Sequence, residues 1–177
     1  LNRFEGYMIN ECYEAIDYVK AVGKPNVKVM LDTFHMNIEE DDLAEAVRLA
    51  GKRLGHFHTG ECNRRVPGKG RMPWREIGNA LQEIGYDGTV CMEPFVKMGG
   101  EVGRDIHIWH NMYEDLSIEK LDKVFREEHL AIDRIIVGVM SGNGKDLMQV
   151  QGRQAECEYF IPNLRYWLTR PYIAFGP

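Results

Sequence analysis

Between residues 6 and 126 the hydrophobic positions alternate between helical spacing and short apolar runs. Apolar side chains from Met8 to Val22 recur at helical intervals, which predicts an amphipathic helix that Gly23 and Pro25 end. The same spacing predicts three further helices, which begin near the acidic residues 39–42, at Pro73 and, as a long closing helix, near Ile118.

Three short apolar runs lie between these helices and predict β-strands. They cover Val27–Asp32, Leu54–His58 and Gly88–Glu93. Strands that alternate with helices at spacings of about 30 residues are typical of βαβ units and a parallel sheet. Because right-handed crossovers place all strand carboxyl ends on one side, we expect the functional residues of this α/β fold at that side.

Each predicted strand ends on a side chain that can bind a metal ion, namely Asp32, His58 and Glu93. One such residue would more often be a cap or a loop contact, but three in succession favour a metal site over solvated loop residues. Two carboxylates with one imidazole are a donor set that suits Mn²⁺, Mg²⁺ or Co²⁺, whereas zinc more often occupies sites rich in thiolates. The sequence therefore predicts a divalent-metal site at the carboxyl edge of the sheet.

A cationic, glycine-rich loop follows the second strand over residues 59–71. On the active side of the sheet it could hold an anion or the hydroxyls of a polar ligand, although such charged runs are more often solvated. His35 lies three residues beyond Asp32, close enough to face the same cavity. His56 has the same strand parity as His58, and the preferred interpretation is a satisfied core histidine.

Composition narrows the class of protein. The chain has 177 residues, with 22 Lys+Arg against 27 Asp+Glu, a balance that disfavours general affinity for nucleic acid. Its apolar runs stay well below the roughly 18 residues of a membrane span, so we expect no membrane partner. The four cysteines form no CxxC pair, which argues against a zinc cluster or a disulfide framework and fits a cytoplasmic protein.

Four stretches of the chain carry a resemblance to a known family: residues 1–6, 29–37, 55–70 and 92–96. The longest reads Gly-His-Phe-His-Thr-Gly-Glu-Cys-Asn-Arg-Arg-Val-Pro-Gly-Lys-Gly. They closely resemble the D-psicose (D-allulose) and D-tagatose 3-epimerases, which are xylose-isomerase-like TIM barrels. The resemblance implies that residues 1–136 form the C-terminal part, about three βα units, of a (β/α)₈ TIM barrel. Residues 137–177 match no recognised counterpart and are expected to be an unassigned C-terminal extension.

The resemblance also implies a metal-dependent ketose 3-epimerase, an isomerase that removes and returns the C3 proton through an enediolate bound to a divalent cation. The implied metal ligands are Asp32, His58 and Glu93. Glu93 is also the implied catalytic residue, and the residues implied to bind the ketose are Glu5, His35 and Arg64. The expected cofactor is Mn²⁺, with Co²⁺ or Mg²⁺ as alternatives, and the expected ligands are D-psicose, D-fructose and D-tagatose.

The family's other catalytic glutamate, which is also its fourth metal ligand, is expected one or two residues upstream of Leu1. Two alternatives therefore stay open. The chain is a truncated, non-catalytic barrel fragment, or it is an isomerase of the same superfamily that acts on another sugar or sugar acid. The full-length form is expected to be a cytoplasmic homo-oligomer.

Overall fold

The computed structural model describes residues 1–124, which divide into two compact units of 1–95 and 96–124. The elements of the first unit are α1 (Cys12–Val22), β1 (Val29–Asp32), α2 (Thr33–Glu39), α3 (Leu43–Ala50), a 3₁₀ turn (Gly51–Arg53), β2 (Leu54–Thr59), α4 (Trp74–Glu83) and β3 (Thr89–Met92). The second unit contains α5 (Gly100–Asp105) and a helix that begins at Ile118. The predicted boundary at residue 136 and the extension 137–177 lie outside the described residues.

The three strands form one parallel sheet in the order β1-β2-β3, as the alternation of strands and helices predicts. Asp32 pairs with His58, and His58 pairs with Cys91, so the carboxyl ends of the strands lie side by side. A register shift after Val29 leaves Gly55 without a partner on β1. A Cβ at Gly55 would lie 2.5 Å from the Lys28 Cβ, which explains glycine at this position.

The hydrophobic core lies between one face of this sheet and helices α1, α3 and α4, with α3 packed against the other two helices. Leu31 and Phe57 supply the sheet side, and Val47 and Ile77 supply part of the helix side. Phe57, Val47 and Ile77 are fully buried. Burying a side chain of this size stabilises a fold by roughly 1.5–3 kcal/mol, so this layer holds the strands in register.

Two helices begin later than the apolar spacing predicts, and their caps explain the difference. Helix α1 begins at Cys12, where the Glu14 carboxylate accepts a hydrogen bond from the backbone N–H of Glu11, while Met8 lies outside the helix and is exposed. Helix α3 begins after the acidic run because the Asp42 carboxylate accepts from the Glu45 N–H at 3.0 Å. Carboxylates stabilise a helix start because they satisfy free N–H groups there.

The sequence patterns missed two short helices, α2 and α5, which have seven and six residues. Helices this short cannot display a full amphipathic period. The strands end close to the predicted positions, although β2 continues to Thr59 and Glu93 follows β3 instead of closing it. Within residues 1–124, no helix is both long and apolar enough to cross a bilayer.

Candidate functional site

Asp32, His58 and Glu93 converge at the carboxyl edge of the sheet. The His58 Nδ1 lies 3.5 Å from an Asp32 oxygen and 3.7 Å from a Glu93 oxygen. One ligand atom from each of the three residues lies within 4.8 Å of the others. Glu93 is held beside β2 because its backbone N–H donates to the Thr59 carbonyl. The predicted trio is thus brought together, in an arrangement that a divalent cation could occupy.

The charges within this trio are paired. The hydrogen bond with Asp32, then that with Glu93, raises the pKa of His58 to about 9. Burial acts to raise the pKa of Asp32, but the His58 hydrogen bond, followed by the electrostatic influence of His35 and Arg64, outweighs it, so the Asp32 pKa lies below its usual value. Two carboxylates here therefore favour a positive charge between them, which a proton on His58 or a bound cation can supply.

Asp32 has a second task as the N-cap of α2. Its Oδ1 accepts the backbone N–H of Phe34 at 2.8 Å, which leaves Oδ2 to face His58. Behind it, the buried Thr33 hydroxyl donates to the Gly60 carbonyl and accepts from the Gly60 N–H, both at 2.7 Å. This exchange ties the segment after β1 to the segment after β2, so Asp32 and His58 are held on a common frame.

His35, on the first turns of α2, lies beside the trio as its spacing from Asp32 predicts. Its Nδ1 accepts the backbone N–H of Asn2 at 3.1 Å, so the neutral ring carries its proton on Nε2. Burial lowers the pKa of His35, and Arg64 lowers it further, against the opposing charges of Asp32 and Glu5. His35 is therefore a neutral imidazole that can donate a hydrogen bond from Nε2.

Arg64 is buried and connects two other predicted site residues. One guanidinium nitrogen lies 3.3 Å from a Glu5 carboxylate oxygen, and another lies 3.8 Å from a Glu93 oxygen. The guanidinium carbon lies 3.5 Å from the centre of the Phe34 ring and 4.4 Å from that of Phe95. The aromatic contacts fix the plane of the cation and keep its hydrogen-bonding edge toward the carboxylates. Sequence reasoning missed both phenylalanines.

Residues 1–109 match the family model of the xylose isomerase-like TIM barrel. The chain belongs to this family. It is 59% identical over 138 residues to a D-psicose 3-epimerase of Agrobacterium fabrum, a match that covers 78% of this chain and 47% of that protein. The predicted resemblance is therefore confirmed, and so is the predicted part of a barrel as the fold class.

Solved structures agree with this family assignment. A D-psicose 3-epimerase structure in the presence of D-fructose matches with a TM-score of 0.73 and 58% identity, over 77% of this chain and 47% of that one. A D-psicose 3-epimerase with D-tagatose from Clostridium cellulolyticum H10 matches with a TM-score of 0.75 and 54% identity, over the same shares. The chain spans about half the length of these relatives.

The loop that carries Arg64 in this xylose isomerase-like barrel segment is built around a carboxylate that no sequence pattern indicated. Glu61 is fully buried and accepts hydrogen bonds from the Gly68 N–H at 2.7 Å, the Met72 N–H at 3.3 Å and the Trp74 indole at 2.6 Å. Its backbone carbonyl accepts the Arg64 N–H at 2.9 Å. Glu61 therefore fixes both ends of the loop and the start of the Arg64 segment.

The two interpretations of the cationic loop each hold for part of it. Arg64 is buried beside the trio, whereas the other cations of the loop are exposed: Arg65, Lys69 and Arg71. Arg64 has a left-handed backbone with φ of 59°, a conformation that bulky residues rarely adopt. The loop thus accepts backbone strain at the one cation that it directs inward.

Proposed function

We propose that the protein to which this chain belongs is a metal-dependent ketose 3-epimerase, and that this chain supplies part of its active site. The observation that carries the proposal is the convergence of Asp32, His58 and Glu93 at the ends of three adjacent strands, with His35 and Arg64 beside them. Relatives named D-psicose 3-epimerase, with structures solved in the presence of D-fructose or with D-tagatose, support a ketose as the substrate.

The donor set fits a hard divalent cation, because it consists of carboxylate oxygens and one imidazole. Asp32, His58 and Glu93 would hold that ion, with Mn²⁺ as the preferred metal and Co²⁺ or Mg²⁺ as alternatives. When bound, the cation would act as a Lewis acid toward the oxygens of the ketose.

Glu93 is the residue proposed to move the proton at C3. Its side chain is 50% exposed and therefore accessible to a ligand, and the Arg64 guanidinium lies 3.8 Å from one of its carboxylate oxygens. An ionised carboxylate can accept the C3 proton in one direction of the reaction, and its protonated form can donate a proton to C3 in the other. Inversion at C3 also requires an acid–base group on the opposite face of the sugar, which the family resemblance assigns to a glutamate upstream of Leu1.

The proposed ketose-binding residues offer complementary hydrogen-bonding groups. His35 can donate from Nε2 to a sugar oxygen, because its Nδ1 is occupied by the Asn2 backbone. Arg64 can donate to an oxygen on which negative charge develops. The Glu5 carboxylate, already bonded to the Asn2 amide at 2.9 Å, can accept from a hydroxyl. Together these groups would orient the ketose with C3 toward Glu93.

The decisive experiment measures interconversion of D-fructose and D-psicose by the complete protein with Mn²⁺. Glu93→Gln should lower kcat by roughly 10²–10⁴-fold, the usual contribution of a general acid–base residue. Glu76→Gln is the matched control, because Glu76 is exposed on α4, and it should leave kcat unchanged. Wild-type turnover by Glu93→Gln would refute the assigned role.

Two further assays separate the alternatives. The isolated chain of 177 residues is assayed beside the complete protein, because a non-catalytic fragment should give no turnover where the complete protein does. A panel of ketoses and hydroxy-carbonyl sugar acids is then offered to the complete protein. Conversion of a sugar acid but of no ketose would favour another isomerase of the superfamily over a ketose 3-epimerase.

A further inference from the structure

A second group of metal-binding side chains lies on the sheet face away from the hydrophobic core. His56 and His58 are two positions apart on β2 and share that face, and Cys91 is the cross-strand partner of His58 on β3. One ligand atom from each of the three residues lies within 4.8 Å of the others. The two imidazole rings contact each other edge to face, with centroids 4.8 Å apart.

The chemistry of this group differs from that of the carboxylate trio. Two imidazoles with a thiolate are a donor set typical of Zn²⁺, whereas hard ions such as Mn²⁺ prefer oxygen. Around a tetrahedral ion with bonds of about 2.0–2.3 Å, neighbouring donor atoms lie roughly 3.5 Å apart. Donor atoms already within 4.8 Å can reach this spacing by small side-chain rotations.

We propose that His56, His58 and Cys91 form a site for Zn²⁺ or a similar ion, which excludes the ion held by Asp32, His58 and Glu93. Both groups need His58, and a neutral imidazole offers a lone pair from only one nitrogen. Two divalent cations held so close together would also repel each other. The new site is independent of the proposed function, and only the exclusion rests on it.

Among the three cysteines within residues 1–124, Cys91 is the one whose position suits this site. Cys12 belongs to the core on the helix side, where its Sγ donates to the Ala46 carbonyl at 3.2 Å. Cys62 follows Glu61 in the loop and packs against the same core. A serine at either of these positions therefore leaves the proposed ligands unchanged, and the half-buried Cys62 is the better match for Cys91.

The test titrates the full chain with Co²⁺, a spectroscopic substitute for Zn²⁺ that gives a near-ultraviolet charge-transfer band only when a thiolate binds it. Wild type and Cys62→Ser should give the band, Cys91→Ser should lose it, and His56→Gln should weaken Co²⁺ binding at least tenfold. Added Zn²⁺ should abolish the band. Circular dichroism verifies that each variant is folded. Co²⁺ held by Asp32, His58 and Glu93 would give no thiolate band, so Asp32→Asn is titrated beside the wild type. No band in folded Asp32→Asn, or a full band in Cys91→Ser, would overturn the proposal.

Exclusion is tested by repeating the Co²⁺ titration in excess Mn²⁺, with bound Mn²⁺ followed by electron paramagnetic resonance. In the wild type, Mn²⁺ should raise the Co²⁺ concentration needed for the thiolate band. In Asp32→Asn, the band should persist and lose its sensitivity to Mn²⁺. A wild type that binds Mn²⁺ with no change in the band would refute exclusion. A wild type that gives the band but binds no Mn²⁺ would count against the proposed function and leave the new site standing.

Discussion

On one face of the three-stranded sheet, Leu31 and Phe57 are buried among the side chains of α1, α3 and α4. On the other face, Met30 is 54% exposed and His56 is half-buried. Neighbouring residues of the same strand thus have opposite environments, because side chains alternate across a strand. The comparison shows that one strand can separate two roles: the helix-covered face supplies the free energy of folding, and the opposite face carries the groups proposed to bind metal ions.

The largest expected effect compares neighbours on β2. Phe57→Ala should lower the free energy of unfolding by about 3–5 kcal/mol, because it leaves a cavity in the helix-covered layer. His56→Ala should change it by less than about 1 kcal/mol, since that side chain lies outside the core. Urea unfolding of both variants, followed by circular dichroism, measures the difference. Equal losses would mean that the two faces are not energetically distinct.

A smaller loss of stability is expected from a change at Glu61, a carboxyl group buried next to the core. Its role in folding shows that polar groups as well as apolar ones contribute to stability on this side of the molecule. Glu61→Gln should lower the free energy of unfolding by about 1–3 kcal/mol. The amide NH₂ would face one of the N–H groups that now donate to the carboxylate, and that buried N–H would lose its hydrogen bond. Urea unfolding measures the loss. Glu76→Gln, in the exposed first turn of α4, is the control and should lower the free energy of unfolding by less than about 0.5 kcal/mol, the scale of an exposed charge at a helix start. An unchanged free energy of unfolding in Glu61→Gln would show that the stability of the loop does not depend on the carboxylate.

The strand-end trio could be predicted from sequence because each of its residues is recognised from the short stretch of chain around it. A short apolar run marks each strand, and the parallel topology brings the last residues of neighbouring strands together. That argument placed Asp32, His58 and Glu93 at one edge, and the structure has them there. It also placed His35 within reach of Asp32. These predictions need only the strand period and the direction of the crossovers.

Other features depend on contacts between distant parts of the chain, which no local pattern reveals. In the sequence, Glu61 is indistinguishable from an ordinary acidic loop residue. Its role depends on the hydrogen bond from Trp74, which lies 13 residues away in the chain. His56 was expected to be a satisfied core histidine, but it is half-buried on the face away from the core. Parity along a strand identifies which residues share a face but not which face the helices cover.

Tyr86 tests the helix-covered side with a smaller and pH-dependent effect. Its hydroxyl donates to the Thr89 carbonyl at the start of β3, and burial, then Asp87, raises its pKa to about 12. The folded state therefore favours the neutral phenol. This contribution to stability is complete below the usual phenol pKa of about 10 and is lost as the pH rises toward 12.

Tyr86→Phe should accordingly cost about 0.5–1.5 kcal/mol at pH 8, the net value of one hydrogen bond. The gap between wild type and Tyr86→Phe should narrow between pH 10 and 12, as urea unfolding at several pH values would measure. Tyr18→Phe, on the exposed side of α1, should show no gap at pH 8. A gap that stays constant up to pH 12 would contradict the raised pKa of Tyr86.

The last prediction involves no change in stability: the cysteines on the two faces of the sheet should differ in thiol reactivity. Cys12 is 2% exposed, and burial, followed by the nearby Glu40, raises its pKa to about 12, so almost no reactive thiolate is present at pH 8. Cys91 is half-buried on the opposite face. Iodoacetamide should therefore modify Cys91 faster than Cys12 by a factor on the order of 100, as peptide mapping by mass spectrometry would measure. In urea the two rates should become similar, because the unfolded chain exposes both thiols. Equal rates in the folded chain would mean that the sheet shields both faces alike, and the separation of tasks between them would fail.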